Sequence, residues 1–191
     1  MQKRNLYILG LVTLIIFPLV GLTIVGVVED NPTQWLQKRL DRERLAVHWQ
    51  ILIGLFFGAL SGFLGWQIIR LPFMKSVRNK YGSILQQLNL NLFDILFISF
   101  CAGVGEELLF RGAIQPYLGI WVTAFLFVSI HGYLNPMDWK ITVYGIFMTA
   151  IIAALGYFAQ DFGILTAIVA HFAIDVVLLL YSTQTNLNES D

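Results

Sequence analysis

Long apolar runs dominate this 191-residue sequence and restrict what it can fold into. A run of about 20 apolar residues crosses the hydrocarbon core of a bilayer as a helix. Only 13% of the residues are charged, against about 25% in soluble domains. A soluble domain of this size could not bury so much apolar surface. The chain is therefore predicted to be an integral membrane protein of the all-α class.

The apolar runs divide the chain into about six predicted transmembrane helices, which form a polytopic membrane helix bundle. The predicted spans are Leu6–Val28, Val47–Ile69, Leu92–Ile114, Tyr117–Gly132, Ile141–Phe158 and Phe162–Tyr181. The fourth is short, and Pro116 and Gly119 are expected to separate it from the third. Gly54, Gly58 and Gly62 recur at four-residue steps in the second span, which predicts close packing inside the bundle rather than a dimer contact.

Two connections between the predicted spans have the features of short interfacial helices. Asn31 and Pro32 can cap and begin the first of them. Pro72 opens the second, in which apolar residues recur at helical spacing. Its opposite face carries Lys75 and Arg78, an arrangement that suits an anionic lipid surface. We expect one or two amphipathic helices at the membrane surface.

The charge distribution predicts an orientation and excludes one class of partner. The 12 basic and 12 acidic residues cancel, and no basic tract is present, so binding to nucleic acid is not expected. Lysines and arginines are more frequent on the side of the spans that holds the N-terminus. That side carries Lys3, Arg4, Arg70, Lys75, Arg78, Lys80 and Lys140, and the other carries Lys38, Arg39, Arg42 and Arg44. We expect a multi-pass protein of the cell membrane with cytoplasmic termini.

Six ionisable residues interrupt the apolar runs of the C-terminal half: Glu106, Glu107, Arg111, His131, His171 and Asp175. An Asp, Glu or Arg at the centre of a spanning helix costs about 2.5–3.5 kcal/mol on the insertion scale, so such residues face one another or line water. Glu107 and Arg111 are four residues apart with the acid first, the favourable order for an ion pair along a helix. Glu106 lies about 100° around that helix. One carboxylate is expected to pair with Arg111 and the other to stay available for proton transfer.

These residue types predict a buried cluster that hydrolyses an amide bond. His171 and Asp175 are four residues apart and share one face of the last helix. A carboxylate with His131 could orient and deprotonate a water, while a protonated His171 could stabilise the oxyanion. In the alternative, Glu106, His131 and His171 form a site for a divalent metal such as zinc, with an open position for water.

Three motifs in this region resemble those of the CPBP family, the CAAX proteases and bacteriocin-processing enzymes also called the Abi family. Residues 105–111 (GEELLFR) match EExxxR, residues 127–131 (FVSIH) match FxxxH, and residues 171–175 (HFAID) match HxxxN or HxxxD. The resemblance implies an intramembrane endopeptidase, a hydrolase of the glutamate or metalloprotease type. Its catalytic core would be residues 92–181 of a single membrane domain, with residues 1–91 supplying two spans and the amphipathic connectors.

The resemblance also implies roles for the residues that the three motifs specify. Glu106 and His131 would activate the water molecule. The third motif would form the oxyanion site, which assigns His171 and Asp175 to it. An ionised Asp175 would repel an oxyanion, so this residue must be protonated, orient His171 instead, or hold a metal.

The implied substrate is a membrane-associated protein or a lipidated peptide, because eukaryotic members cleave after a prenylated cysteine. Glu107 and Arg111 would be the supporting pair, membrane lipids are the other expected partner, and monomer and homo-oligomer are both compatible with the sequence. Two other functions stay open, a proton-coupled transporter and a catalytically idle immunity or scaffold protein. A transporter would be expected to carry internal repeats, and none is visible in the sequence.

Overall fold

The computed structural model describes residues 3–40 and 45–188, with side chains up to residue 183 except those at 36, 38–40, 80, 81, 84 and 86. Part of the predicted charge bias therefore lies outside the described residues, namely Arg42, Arg44 and the side chains of Lys38, Arg39 and Lys80. Within the described ranges every regular element is a helix. This confirms the predicted all-α bundle.

Eight α-helices follow one another along the described part of the chain. They are α1 (Lys3–Val28), α2 (Pro32–Leu40), α3 (Val47–Arg70), α4 (Lys75–Leu88), α5 (Leu92–Glu107), α6 (Gln115–Ile130), α7 (Trp139–Asp161) and α8 (Ile164–Asn188). A 3₁₀ turn, Pro72–Met74, precedes α4, and a π-helical segment, Leu108–Ile114, joins α5 to α6. Among the described residues, five helical runs are long and apolar enough to cross a membrane: α1, α3, Leu92–Ile130, α7 and most of α8.

The longest of these runs, Leu92–Ile130, is a hairpin. Glu106 and His131 would be about 37 Å apart on one continuous helix, yet Glu106 Oε2 lies 3.6 Å from His131 Nε2. The chain turns back at Gly119, whose φ of 76° lies in the left-handed region that favours glycine. The predicted break between the third and fourth spans is therefore confirmed, and Pro116 lies in the first turn of α6.

The returning arm of this hairpin, residues 120–130, does not reach across the membrane. At 1.5 Å per residue it is about 17 Å long, roughly half of the hydrocarbon thickness of about 30 Å. The prediction that Tyr117–Gly132 crosses the bilayer is thus wrong in length. The arm ends at His131, where the helix stops and turns begin.

The helix ends form two opposite faces of the bundle. At one face the starts of α1 and α5 meet, where Lys3 Nζ pairs with Asp94 Oδ2 at 2.8 Å. At the other face the end of α1 meets the hairpin turn, where the Tyr117 hydroxyl donates to Glu29 Oε1 at 2.8 Å. We call these the amino-terminal face and the opposite face of the bundle.

Helix α4 lies at the amino-terminal face, beside the start of α7. Lys140 Nζ donates to Ser76 Oγ across this contact at 3.2 Å. Among the apolar side chains that predict an amphipathic helix, Met74 of the preceding turn, Val77 and Leu88 are buried, and those of Tyr81 and Ile84 lie outside the described residues. Lys75 is exposed. The predicted helix is present, and it packs against α3 and α8. Its location at a lipid surface stays a prediction.

Helices α3 and α8 pack together through the three glycines of α3. A Cβ atom at Gly58 would overlap the Ala170 carbonyl group, and one at Gly54 would lie 2.8 Å from the Thr166 oxygen. Small residues let two helix backbones approach this closely in a membrane. The predicted packing inside the bundle is confirmed, and it fixes the position of α8.

Candidate active site

Helix α5 is held between α1 and α8 immediately before the first motif. A Cβ atom at Gly105 would overlap the Thr13 carbonyl group of α1. A Cβ atom at Gly103 would lie 3.1 Å from the Ile168 oxygen of α8. Because glycine has no side chain, both neighbouring helices approach the α5 backbone directly, which fixes it next to Glu106.

Glu107 is fully buried and holds partners on two other segments. Its Oε2 lies 3.0 Å from Arg111 Nε, as the four-residue spacing predicts. That contact is an ion pair without hydrogen-bond geometry. Its Oε1 accepts a hydrogen bond from His171 Nδ1 at 2.8 Å. Arg111 Nη2 donates in turn to the Ile152 carbonyl of α7 at 3.1 Å. Glu107 therefore connects α5 directly to α8 through His171, and to α7 through Arg111.

Arg111 lies in the π-helical segment Leu108–Ile114 and is 2% exposed. Segments of this kind are rare and occur frequently at functional sites. The Arg111 guanidinium carbon lies 5.3 Å from the centroid of the Phe127 ring of α6. The buried positive charge is thus balanced by the Glu107 carboxylate and by an aromatic face.

Glu106 has a different environment from its neighbour. Its Oε2 lies 3.6 Å from His131 Nε2 and 3.9 Å from His171 Nε2. Asp175 Oδ2 lies 3.7 Å from the same nitrogen of His171. These four residues line an open cavity of about 310 Å³. The structure therefore brings all six predicted residues together, four at the cavity and the ion pair behind them.

Hydrogen bonds through Nδ1 fix the orientation of both imidazoles. His131 Nδ1 lies 2.7 Å from the Phe127 carbonyl oxygen, and it carries the proton because a carbonyl can only accept. His171 Nδ1 donates in the same way to Glu107. The Nε2 atoms of both rings therefore face Glu106. The Phe127 ring contacts both imidazoles, stacked on His131 at 4.4 Å and edge-on to His171 at 5.8 Å between centroids.

Comparison with known proteins assigns the segment that holds these residues. Residues 88–177 match the family model for type II CAAX prenyl endopeptidase Rce1-like proteins. The matched segment is less than half of the chain, and it contains all six motif residues. The uncharacterized protein YpbD of Bacillus subtilis (strain 168) is 34% identical to this chain over 85 residues, which are 44% of the chain and 42% of YpbD. The chain thus matches less than half the length of that relative, and no solved structure matches it.

The site shows no preformed metal cage among the described residues. Across the ranges 3–40 and 45–188, no three His, Cys, Asp or Glu side chains are grouped so that they could hold a metal ion. The two imidazoles instead direct Nε2 towards one oxygen of Glu106. The ligand set Glu106, His131 and His171 stays a prediction, and no step of the mechanism below passes through a metal.

Three features of the site were not predicted from the sequence. Glu107, expected to pair only with Arg111, also holds His171. Tyr133 and Tyr144 line the cavity beside the motif residues. Both tyrosines lie outside the three motifs in apolar surroundings, where an aromatic residue ordinarily packs, so no signal in the sequence distinguished them.

Proposed function

We propose that this chain is an intramembrane endopeptidase with Glu106 as its general base. The unequal environment of two adjacent carboxylates carries the proposal. Glu107 lies outside the cavity lining and pairs with Arg111 and His171. Glu106 lines the cavity, and its Oε2 is buried there without a hydrogen-bond partner in the described structure. A buried acceptor of this kind needs a partner from the cavity. A water held there would be placed for deprotonation.

In the proposed reaction the water oxygen attacks the carbonyl carbon of the scissile peptide bond. Glu106 takes one water proton, and the π electrons of the carbonyl group move to its oxygen, which gives a tetrahedral oxyanion. When the intermediate collapses, the C=O bond re-forms, the C–N bond breaks and the nitrogen takes the proton from Glu106. The products are a new carboxyl group and a new amine, and the carboxylate is regenerated.

The other cavity residues would hold the water and the oxyanion. His131 Nε2 lies 3.6 Å from Glu106 Oε2, so it would help to orient a water bound to that oxygen. His171, with Nδ1 bound to Glu107, would present a proton on Nε2 to the oxyanion. Since Glu107 already orients His171, Asp175 is not needed for that task. We assign Asp175 as a protonated donor beside the oxyanion.

The proposed substrate is a membrane-associated protein or a lipidated peptide that enters laterally from the bilayer. Much of the cavity wall is apolar, including Ile98, Met148, Ile152 and Leu178. The family description names CAAX prenyl endopeptidases, so a prenylated CAAX peptide is the first substrate to test. We place the protein in the cell membrane with cytoplasmic termini.

The test is cleavage in proteoliposomes of a prenylated CAAX peptide and a panel of single-span membrane proteins. Glu106→Gln keeps the size of the side chain and removes the base, so kcat is expected to fall by about 10²–10⁴-fold. Glu29→Gln is the matched control, because Glu29 lies at the opposite face and Gln retains the oxygen that accepts from Tyr117. Equal cleavage by wild type and Glu106→Gln would contradict the mechanism.

Further outcomes of the same experiment separate the alternatives. Activity that is lost in chelator and restored by zinc would indicate the metal-dependent form, with Glu106, His131 and His171 as ligands. Proton-coupled uptake without cleavage, abolished by Glu106→Gln, would indicate a transporter. A cellular phenotype that survives Glu106→Gln would indicate an idle immunity or scaffold protein.

A further inference from the structure

Tyr144 of α7 is a polar residue on the cavity wall that the mechanism above leaves unused. It is 4% exposed. Among the described residues, no group makes a hydrogen bond with its hydroxyl. A buried tyrosine hydroxyl ordinarily has a hydrogen-bond partner. Its partner is therefore expected among the molecules that enter the cavity.

Packing holds the Tyr144 ring in place beside the catalytic groups. The ring meets that of Tyr133 edge-on, with centroids 5.3 Å apart. Tyr133 in turn stacks on His131 at 6.0 Å. A Cβ atom at the next residue, Gly145, would overlap the Tyr133 carbonyl group, so α7 is pressed directly against this turn. The position of Tyr144 is thus coupled to that of His131.

Tyr144 also stands where the catalytic cavity adjoins a second cavity of about 230 Å³. The walls of both cavities share Tyr133, Tyr144, Leu178 and Leu179. The second cavity is mostly apolar and lies under α4, with Met74 and Val77 in its wall. A peptide extended through both cavities would pass the Tyr144 hydroxyl.

We propose that the Tyr144 hydroxyl donates a hydrogen bond to the oxygen of the scissile carbonyl as that oxygen becomes negative in the tetrahedral intermediate. This inference rests on the proposed peptidase function. Asp175 can donate only when it is protonated, whereas a tyrosine hydroxyl is a donor in its ordinary state. Tyr144 keeps its proton throughout, so the balance of the hydrolysis is unchanged. It joins His171 around the oxyanion.

Tyr144→Phe tests the inference, because it keeps the ring and its packing on Tyr133 and removes only the hydroxyl. The expected result is a fall in kcat of about 10²-fold, the size of effect seen when one oxyanion donor is removed, with little change in KM and in thermal stability. Tyr157→Phe is the matched control on the same helix, since Tyr157 is 43% exposed. It is expected to keep wild-type kcat.

A second readout separates a donor from a packing residue. A peptide phosphonate, which imitates the tetrahedral intermediate, should bind Tyr144→Phe more weakly by about the factor lost in kcat. An uncleavable ground-state peptide should bind wild type and variant equally.

Wild-type kcat and phosphonate affinity in Tyr144→Phe, with Glu106→Gln still inactive, would overturn the inference and leave the peptidase standing. A rise in KM alone would also overturn it, because it indicates contact with the ground state only. If the wild type cleaves none of the substrates, the proposed function fails and this inference fails with it.

Discussion

Glu106 and Glu107 are adjacent in the sequence, but they face different surroundings. One residue step turns the side chain by about 100° around a helix. On one side of that step lies the ion pair with Arg111, and on the other lies the cavity. Because Arg111 pairs with Glu107, Glu106 at the cavity is available to exchange a proton. Removal of one partner from such a buried pair leaves an uncompensated charge, which is why the pair is expected to be indispensable for folding.

Asp175→Asn is expected to keep or raise activity, and its advantage over the wild type should grow with pH. Raising the pH ionises Asp175 and places a negative charge beside the forming oxyanion. An amide neither ionises nor loses its donor. The measurement is the ratio of kcat/KM, variant to wild type, from weakly acidic to alkaline pH.

Asp161→Asn is the control for this comparison, because Asp161 is exposed at the end of α7. Its pH profile should match that of the wild type. A ratio for Asp175→Asn that stays constant or falls as the pH rises would show that Asp175 does not act as a protonated donor.

The six motif residues could be predicted because an ionisable side chain in an apolar helix needs a partner or a function. The pairing of Glu107 with Arg111 could be predicted as well, because residues four positions apart are neighbours along a helix. The bond between Glu107 and His171 could not, because it joins residues 64 positions apart and depends on how α5 and α8 pack. Tyr144 carries no charge, so its position at the cavity emerges only from the fold.

At the scale of helices, the glycines of α3 determine where α8 and its histidine lie. Gly58→Val is expected to lower thermal stability and kcat together, because the Ala170 carbonyl and the Ala173 side chain occupy the space that the new side chain needs. Overpacking of this kind costs about 1–3 kcal/mol. The measurements are thermal unfolding in detergent and peptide cleavage.

Gly26→Val is the matched control for this substitution. Gly26 also lies in a helix, but nothing would come within 4 Å of a Cβ atom there. Its stability and activity should stay close to those of the wild type. If both valine variants are equally stable, α3 and α8 are not packed through Gly58.

The helices could be predicted from apolar runs and the hairpin from Gly119, because length and turn chemistry are local properties. The π-helical segment Leu108–Ile114 could not, since its composition is that of an ordinary apolar helix. The contact of α4 with α3 and α8 could not be predicted either, because lipid and a protein interior are equally apolar surroundings. The sequence alone cannot distinguish the two.

For the whole molecule, the charges that flank the spans predict which face is cytoplasmic, and the grouping of helix ends provides positions that test this prediction. Asn5→Cys and Asp161→Cys place exposed thiols at the amino-terminal face and the opposite face. In intact cells an impermeant thiol reagent should label only Asp161→Cys, and in inverted vesicles only Asn5→Cys. The wild type is the unlabelled control, because its single cysteine, Cys101, is fully buried. The reverse pattern would contradict cytoplasmic termini.

Packing determines which helix ends share a face, whereas the charges that flank the spans determine which face is cytoplasmic. The contact of Lys3 with Asp94 and that of Tyr117 with Glu29 define the two faces without assigning a side. The same holds for the division into residues 1–91 and a core at 92–181, which stays a prediction. Thiol labelling is therefore the measurement that determines which face is cytoplasmic.

The short returning arm of the hairpin, residues 120–130, has a consequence for the supply of water to the site. It ends at His131, and residues 131–138 continue as turns and irregular chain towards the start of α7. Backbone of this kind at membrane depth is tolerated only where protein buries it or where it borders water. His131 and Gly132 are exposed at this point, so water that borders residues 131–138 would reach the catalytic groups from the amino-terminal face. Hydrolysis consumes one water in every turnover, and this route would deliver it to a site surrounded by lipid.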